Sequence, residues 1–115
     1  MGSKVTDITE AIERFEQLEQ HFGIQLSALS AFVSGPDADA EYKLQVHGEI
    51  LMADGDANTG PHTKLMVSVY DRSGRVIKTD LTEIRPPWLL TFKLVSVTLY
   101  TPVLPASIRI YPIGV

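Results

Sequence analysis

Residues 41–52 read Glu-Tyr-Lys-Leu-Gln-Val-His-Gly-Glu-Ile-Leu-Met, and their alternation decides the fold class. Tyr42, Leu44, Val46, Ile50 and Met52 fall on one side of an extended chain, and Glu41, Lys43, Gln45, His47 and Glu49 on the other. One apolar and one polar side at a period of two is the pattern of an antiparallel strand with one face on a core and the other in water. Leu65, Val67 and Val69 alternate in the same way with Lys64, Met66, Ser68 and Tyr70. Asp71-Arg72-Ser73-Gly74 then reads as a hairpin turn, with Gly74 placed for a positive φ, and the extended pattern resumes from Arg75 to Ile84. Pro86 and Pro87 break it.

Residues 89–100 are extended again, but the apolar phase changes. Leu90, Phe92 and Leu94 occupy even positions and Val95, Val97 and Leu99 odd ones, which predicts a bulge or a change of sheet near Leu94. Pro102 and Pro105 bound a turn before a last strand over 107–111, with Ile108 and Ile110 inward. Upstream, Ile24, Leu26, Ala28 and Phe32 share one face of a strand that ends at Gly35-Pro36-Asp37.

The spacing of Ile8, Ile12, Phe15, Leu18 and Phe22 predicts an amphipathic helix over residues 7–22. Asp7 and Glu10 form a capping box at its start, and Gly23 suits the left-handed position just past its end. The fold expected is therefore mainly β: an antiparallel, Ig-like β-sandwich of about six or seven strands over residues 24–115, carrying one N-terminal amphipathic α-helix. No second helix separates the strands, which argues against a parallel α/β sheet, and no linker divides residues 1–115 into more than a single domain.

The chain has 115 residues and a net charge of −4, and its basic residues are scattered among acids, so a nucleic-acid partner is not expected. No apolar run approaches the length of a membrane span, and no apolar signal core opens the chain. There is no cysteine, which removes disulfides, thiolate metal sites and cysteine nucleophiles and fits a cytoplasmic setting. Met1-Gly2-Ser3 leaves open an original targeting segment.

The chemistry-bearing motifs are few. The loop at 53–62 holds Asp54, Asp56 and Asn58, oxygen donors at alternate positions that could wrap a calcium ion. Its glycine, Gly60, comes one place late for an EF-hand loop, and Leu65 stands where the bidentate acid belongs, so the loop reads first as a solvated connection. His47 and Glu49 share one strand face and could serve acid–base chemistry, the least favoured reading. His21, His47 and His62 have no zinc-binding spacing, and no nucleophile elbow, phosphate loop or dinucleotide fingerprint occurs, so no cofactor is implied. Trp88, after Pro86-Pro87, is either a core plug or an aromatic anchor for a partner.

The stretch Leu65–Ile77, a strand ending in Tyr-Asp, a tight turn with Gly and then Arg-Val-Ile, resembles the FxLYD-type Ig-like modules of bacterial and archaeal surface proteins. Val46-His47-Gly48-Glu49-Ile50 and Pro87-Trp88-Leu89-Leu90-Thr91-Phe92 occupy comparable places, so that the resemblance covers residues 44–92. It implies a binding or structural accessory module with no catalytic residues to carry over. The function expected is accordingly a non-enzymatic protein–protein interaction module, acting through sheet edges, the 53–62 loop or the helix. A small-ligand or calcium-assisted binding domain is the alternative. The helix stripe, together with the outward Leu51, Met66, Tyr70 and Leu89, also points to a homodimer.

If 53–62 is a solvated loop, millimolar Ca²⁺ leaves the melting temperature unchanged. A rise that disappears in Asp54→Ala or Asp56→Ala would instead establish a site, because a ligand bound to the native state stabilises it by mass action.

Overall fold

A computed structural model describes residues 4–52, 62–85 and 92–114. Its strands are β1 (Val5–Asp7), β2 (Ile12–Arg14), β3 (Ile24–Ser34), β4 (Tyr42–Met52), β5 (Thr63–Tyr70), β6 (Val76–Ile84), β7 (Phe92–Thr101) and β8 (Ser107–Ile113), with one short helix, α1 (Glu16–His21). They form two four-stranded sheets, with strand orders β1-β3-β4-β7 and β2-β8-β5-β6. The alternation in the sequence places the core between them. Ile24, Leu26, Leu44, Val46 and Ile50 from the first sheet and Leu65, Val67, Val69, Ile108 and Ile110 from the second join one cluster from which water is almost wholly excluded. Removing such side chains from water at about 25 cal/mol per Å² is the main term holding the sheets face to face.

The central strands and the hairpin follow the sequence reading. In the turn after β5, Asp71 Oδ1 accepts the backbone N–H groups of Ser73 and Arg75, and Gly74 takes φ +82°. The expected bulge near Leu94 is absent: β7 pairs with β4 in one register from Phe92↔Leu51 to Thr101↔Tyr42. Leu94 simply faces outward, at 75% exposure.

The bulge lies instead in β3. Between the pairs Ser27↔Glu49 and Ser30↔His47, β3 spends Ala28 and Leu29 against the single residue Gly48. Ala28 adopts φ +52°, and a Cβ on Gly48 would stand 2.6 Å from the Leu29 side chain, so the glycine makes room for the bulged residue. A two-against-one bulge reverses the phase of a strand. Ile24 and Leu26 face the core before it and Ala31 and Val33 after it; Ala28 is exposed and Phe32 turns to the outer face, against the expectation that both share the inner one.

The helix expected over 7–22 is corrected as well. The chain instead forms β1, a 3₁₀ turn at Thr9–Ala11, β2 and only then α1. A helix of that length is marginal by itself, and here the sheets offer more. β1 pairs antiparallel with β3, and β2 pairs parallel with β8 through Ile12↔Ile108 and Arg14↔Ile110. One N-terminal segment thus serves both sheets. Asp7 does not cap a helix: its Oδ1 accepts the backbone N–H and the hydroxyl of Thr9, and these bonds hold the carboxyl below the usual range. Thr9 Oγ1 in turn accepts the Ala31 N–H at 3.1 Å, which pins the crossing between sheets to β3. Gly23 does take the left-handed conformation after α1, at φ +74°.

This register sets a test. Leu44→Ala empties a fully buried site and is expected to cost about 2–5 kcal/mol in urea unfolding. Its neighbour Gln45 faces outward, and Gln45→Ala should stay within about 0.5 kcal/mol. Equal costs at the two positions would overturn the register.

Candidate interaction surface

The segment from β2 to α1 builds the surface, and one buried ion pair fixes it. Glu19 is 1% exposed although it lies on a helix of six residues. Its carboxylate accepts Arg14 Nε on Oε2 at 3.0 Å and the other guanidinium N–H group of Arg14 on Oε1. Oε1 also accepts the backbone N–H of Leu26 at 2.9 Å. The bond to Glu19 raises the Arg14 pKa further, so the guanidinium stays charged. A buried carboxylate is tolerated only with this degree of pairing. The geometry ties β2, α1 and β3 together and sets the direction in which α1 presents its apolar side chains.

The apolar residues of the sequence stripe are divided by this arrangement. Ile8 and Ile12 pack against the core. Phe22 is half-buried, its ring 4.9 Å from that of His21. Phe15 and Leu18 go to the outer face of the second sheet. There the Phe15 ring meets Tyr111 edge-on, with centroids 5.6 Å apart, and Leu18 remains 39% exposed. Cross-strand pairing extends this row: Tyr111 stands opposite Met66 on β5, and Met66 opposite Leu81 on β6. Phe15, Tyr111, Met66 and Leu81 therefore form an aromatic and aliphatic band across the sheet.

A polar row runs beside the band. Glu13 lies opposite Arg109 and accepts its Nε at 2.7 Å, and Arg109 lies opposite Ser68. The Arg109 guanidinium also sits 5.0 Å above the Tyr70 ring, a cation–π contact. Glu13 first, then Tyr70, raises the Arg109 pKa. Phe15, Leu18, Tyr70, Arg109 and Tyr111 line one hollow, which adjoins a second of about 590 Å³ between Phe15, Leu18 and His21. Open hollows lined by aromatic side chains, leucine and a paired arginine suit the insertion of an apolar side chain from another molecule.

The remaining sequence candidates are not gathered here. His47 and Glu49 lie on the outer face of the first sheet, where Ser96 Oγ is 3.1 Å from His47 Nδ1. Among the described residues no hydrogen bond or ion pair joins His47 to Glu49. Asp54, Asp56, Asn58 and Trp88 lie outside the described residues. The sequence reading gave no site role to Glu19, Arg14 or Arg109, and placed Asp37 in a turn. Period-two spacing of Ile12 and Arg14 against Glu13 and Phe15 was the signal available for the first strand of this surface. Asp37 gathers with Asp39 and Glu41 at the β3–β4 turn, their carboxylates within 4.8 Å of one another. Asp37 Oδ1 already accepts the N–H groups of Asp39 and Glu41, so it serves the turn.

No family model, curated protein or solved structure matches the chain. No helix among the described residues is long and apolar enough to cross a membrane.

The ion pair can be tested apart from the surface. Arg14→Ala leaves the Glu19 carboxylate buried without its counter-ion. It is expected to cost about 3 kcal/mol, the low end for a broken buried pair because Arg14 is partly exposed. Adding Glu19→Leu removes the orphaned charge and should recover part of that loss. A double variant less stable than Arg14→Ala would show that Glu19 is held chiefly by the Leu26 N–H.

Proposed function

We propose that the chain is a non-enzymatic protein-interaction module whose binding surface is the outer face of the second sheet around Phe15, Leu18, Tyr70 and Tyr111. The observation that carries this reading is the exposed band itself. Leu18 is 39% exposed beside aromatic rings and Leu81 44% exposed opposite Met66, on a face that a monomer gains nothing by leaving apolar. Tyrosine and arginine, the residues that most often dominate binding energy, stand at its centre, and the Glu13–Arg109 pair forms a charged border.

An Ig-like relationship is part of the same reading. It is supported by the sandwich and by the first strand, which divides itself between the two sheets. The order of the inner strands departs from the constant-type Ig arrangement. There the second strand neighbours the fifth, whereas here β3 and β4 are sequential neighbours. The accessory role implied by the FxLYD-type resemblance agrees with a surface that has apolar hollows lined by aromatic rings.

Affinity capture with three variants tests the proposal. A protein retained by the wild-type chain should be lost by Leu18→Glu and by Leu81→Glu, each weakening binding about tenfold or more, as expected when an anchor is removed. It should be kept by Gln45→Glu, on the opposite sheet. Retention by all three would overturn the assignment of the surface.

A further inference from the structure

The two outer strands on one side of the sandwich are built differently. β6, the edge of the second sheet, is guarded. Its positions opposite Val69, Val67 and Leu65 face inward and hold Lys78, Asp80 and Thr82. Inward-pointing charge on an edge strand is a device that stops another strand from adding to it. β7, the edge of the first sheet, is less protected: its one inward-pointing charge is Lys93, opposite Ile50 near its start. It runs for ten residues in unbroken register, and over that length it has no proline and no bulge. Lys93 is also its one charged residue, and Nζ donates to the Arg85 carbonyl at 3.2 Å.

The side-chain order along β7 has a centre. Outward lie Leu94, Ser96, Thr98 and Tyr100, which read apolar, hydroxyl, hydroxyl, apolar. Inward, between Lys93 and Thr101 at the two ends, lie Val95, Val97 and Leu99, all aliphatic. Both sequences are symmetric about Val97. The two apolar outward residues are also prominent, with Leu94 at 75% and Tyr100 at 46% exposure.

We infer that β7 pairs antiparallel with β7 of a second copy of this chain, about a two-fold axis at Val97. That register sets Leu94 opposite the partner's Tyr100, Ser96 opposite the partner's Thr98 and Val95 opposite the partner's Leu99. Apolar then meets apolar and hydroxyl meets hydroxyl on the outer face, the pairs that stabilise a sheet. A shift of one residue would set inward side chains against outward ones. A shift of two, centred on Ser96, would set Leu94 against the partner's Thr98 and Lys93 against the partner's Leu99. The matched register joins the two β1-β3-β4-β7 sheets edge to edge, and it leaves the Phe15–Tyr111 surface of each copy uncovered. An isologous contact of this kind closes on itself as a dimer.

Light scattering after size exclusion, across a dilution series, is expected to give twice the 12.7 kDa of one chain at the concentrated end. Ser96→Lys with Thr98→Lys sets lysine against lysine twice across the axis and should halve the mass. Ser96→Glu with Thr98→Lys sets glutamate against lysine twice and should restore the dimer, while far-UV circular dichroism stays unchanged in all three proteins. Because the chain lacks cysteine, Leu94→Cys and Tyr100→Cys chains can be mixed, and the mixture should form a disulfide that neither forms alone. A wild-type chain monomeric at every concentration would overturn the inference, as would a dimer indifferent to paired lysines. A Leu94→Cys chain that crosslinks to itself would overturn the register. None of these outcomes touches Leu18, so the inference and the proposed binding surface fail separately.

Discussion

The aliphatic layer between the sheets is the constraint on which the remaining structure depends. Leu44, Val46 and Ile50 on β4 lie in the same buried cluster as Leu65, Val67 and Val69 on β5, each 1% exposed or less. With those faces fixed inward, every intervening side chain is fixed outward. Met66, Ser68 and Tyr70 then stand on one surface of the molecule and Gln45, His47 and Glu49 on the other. The N-terminal segment fits round this layer as a second-order consequence. Ile8 and Ile12 close the side of the core, and β2, which begins at Ile12, ends where Phe15 can turn out over Tyr111.

A polar interaction then refines what the apolar layer leaves loose. A six-residue helix has little stability of its own, and α1 has no side-chain cap at its start. Glu19 compensates by joining the helix to Arg14 on β2 and to the backbone of β3. No buried side-chain nitrogen or oxygen among the described residues lacks a hydrogen-bond partner, so the charge introduced into this corner is accounted for. The aromatic band on the outer face is thereby held by a fixed framework, so that the binding proposed for it would lose less entropy.

The parts of this fold that were legible in the sequence are those where one physical signal acts alone. β4, β5 and the Asp71–Gly74 turn depend on alternation and turn chemistry, both local. β3 was legible up to Leu26 and misread beyond it, since a bulge opposite Gly48 reverses the phase and only the pairing partner reveals that. Residues 7–22 carried a helical spacing that the sheets overrode, because edge pairing with β3 and β8 offered more than an isolated amphipathic turn. The candidate surface was half legible for a related reason. Phe15 and Leu18 were named from a stripe that does not exist, yet they remain the residues left over when Ile8 and Ile12 enter the core. Arg109, Tyr111 and Glu19 acquire their roles only through contacts between distant strands, to which local spacing is blind.

The split first strand has a mechanical consequence. β2 follows β1 and the Thr9–Ala11 turn, β8 is the last strand, and β2 and β8 run parallel through Ile12↔Ile108, Glu13↔Arg109 and Arg14↔Ile110. Tension applied between the two ends of the chain would draw β2 and β8 in opposite directions along their common axis. The ladder bonds between them would be loaded together in shear, instead of parting one after another as in a hairpin pulled from its open end. Three residue pairs make a short clamp, but it lies across the line of force, and it takes the load once the pairing of β1 with β3 ahead of it has parted.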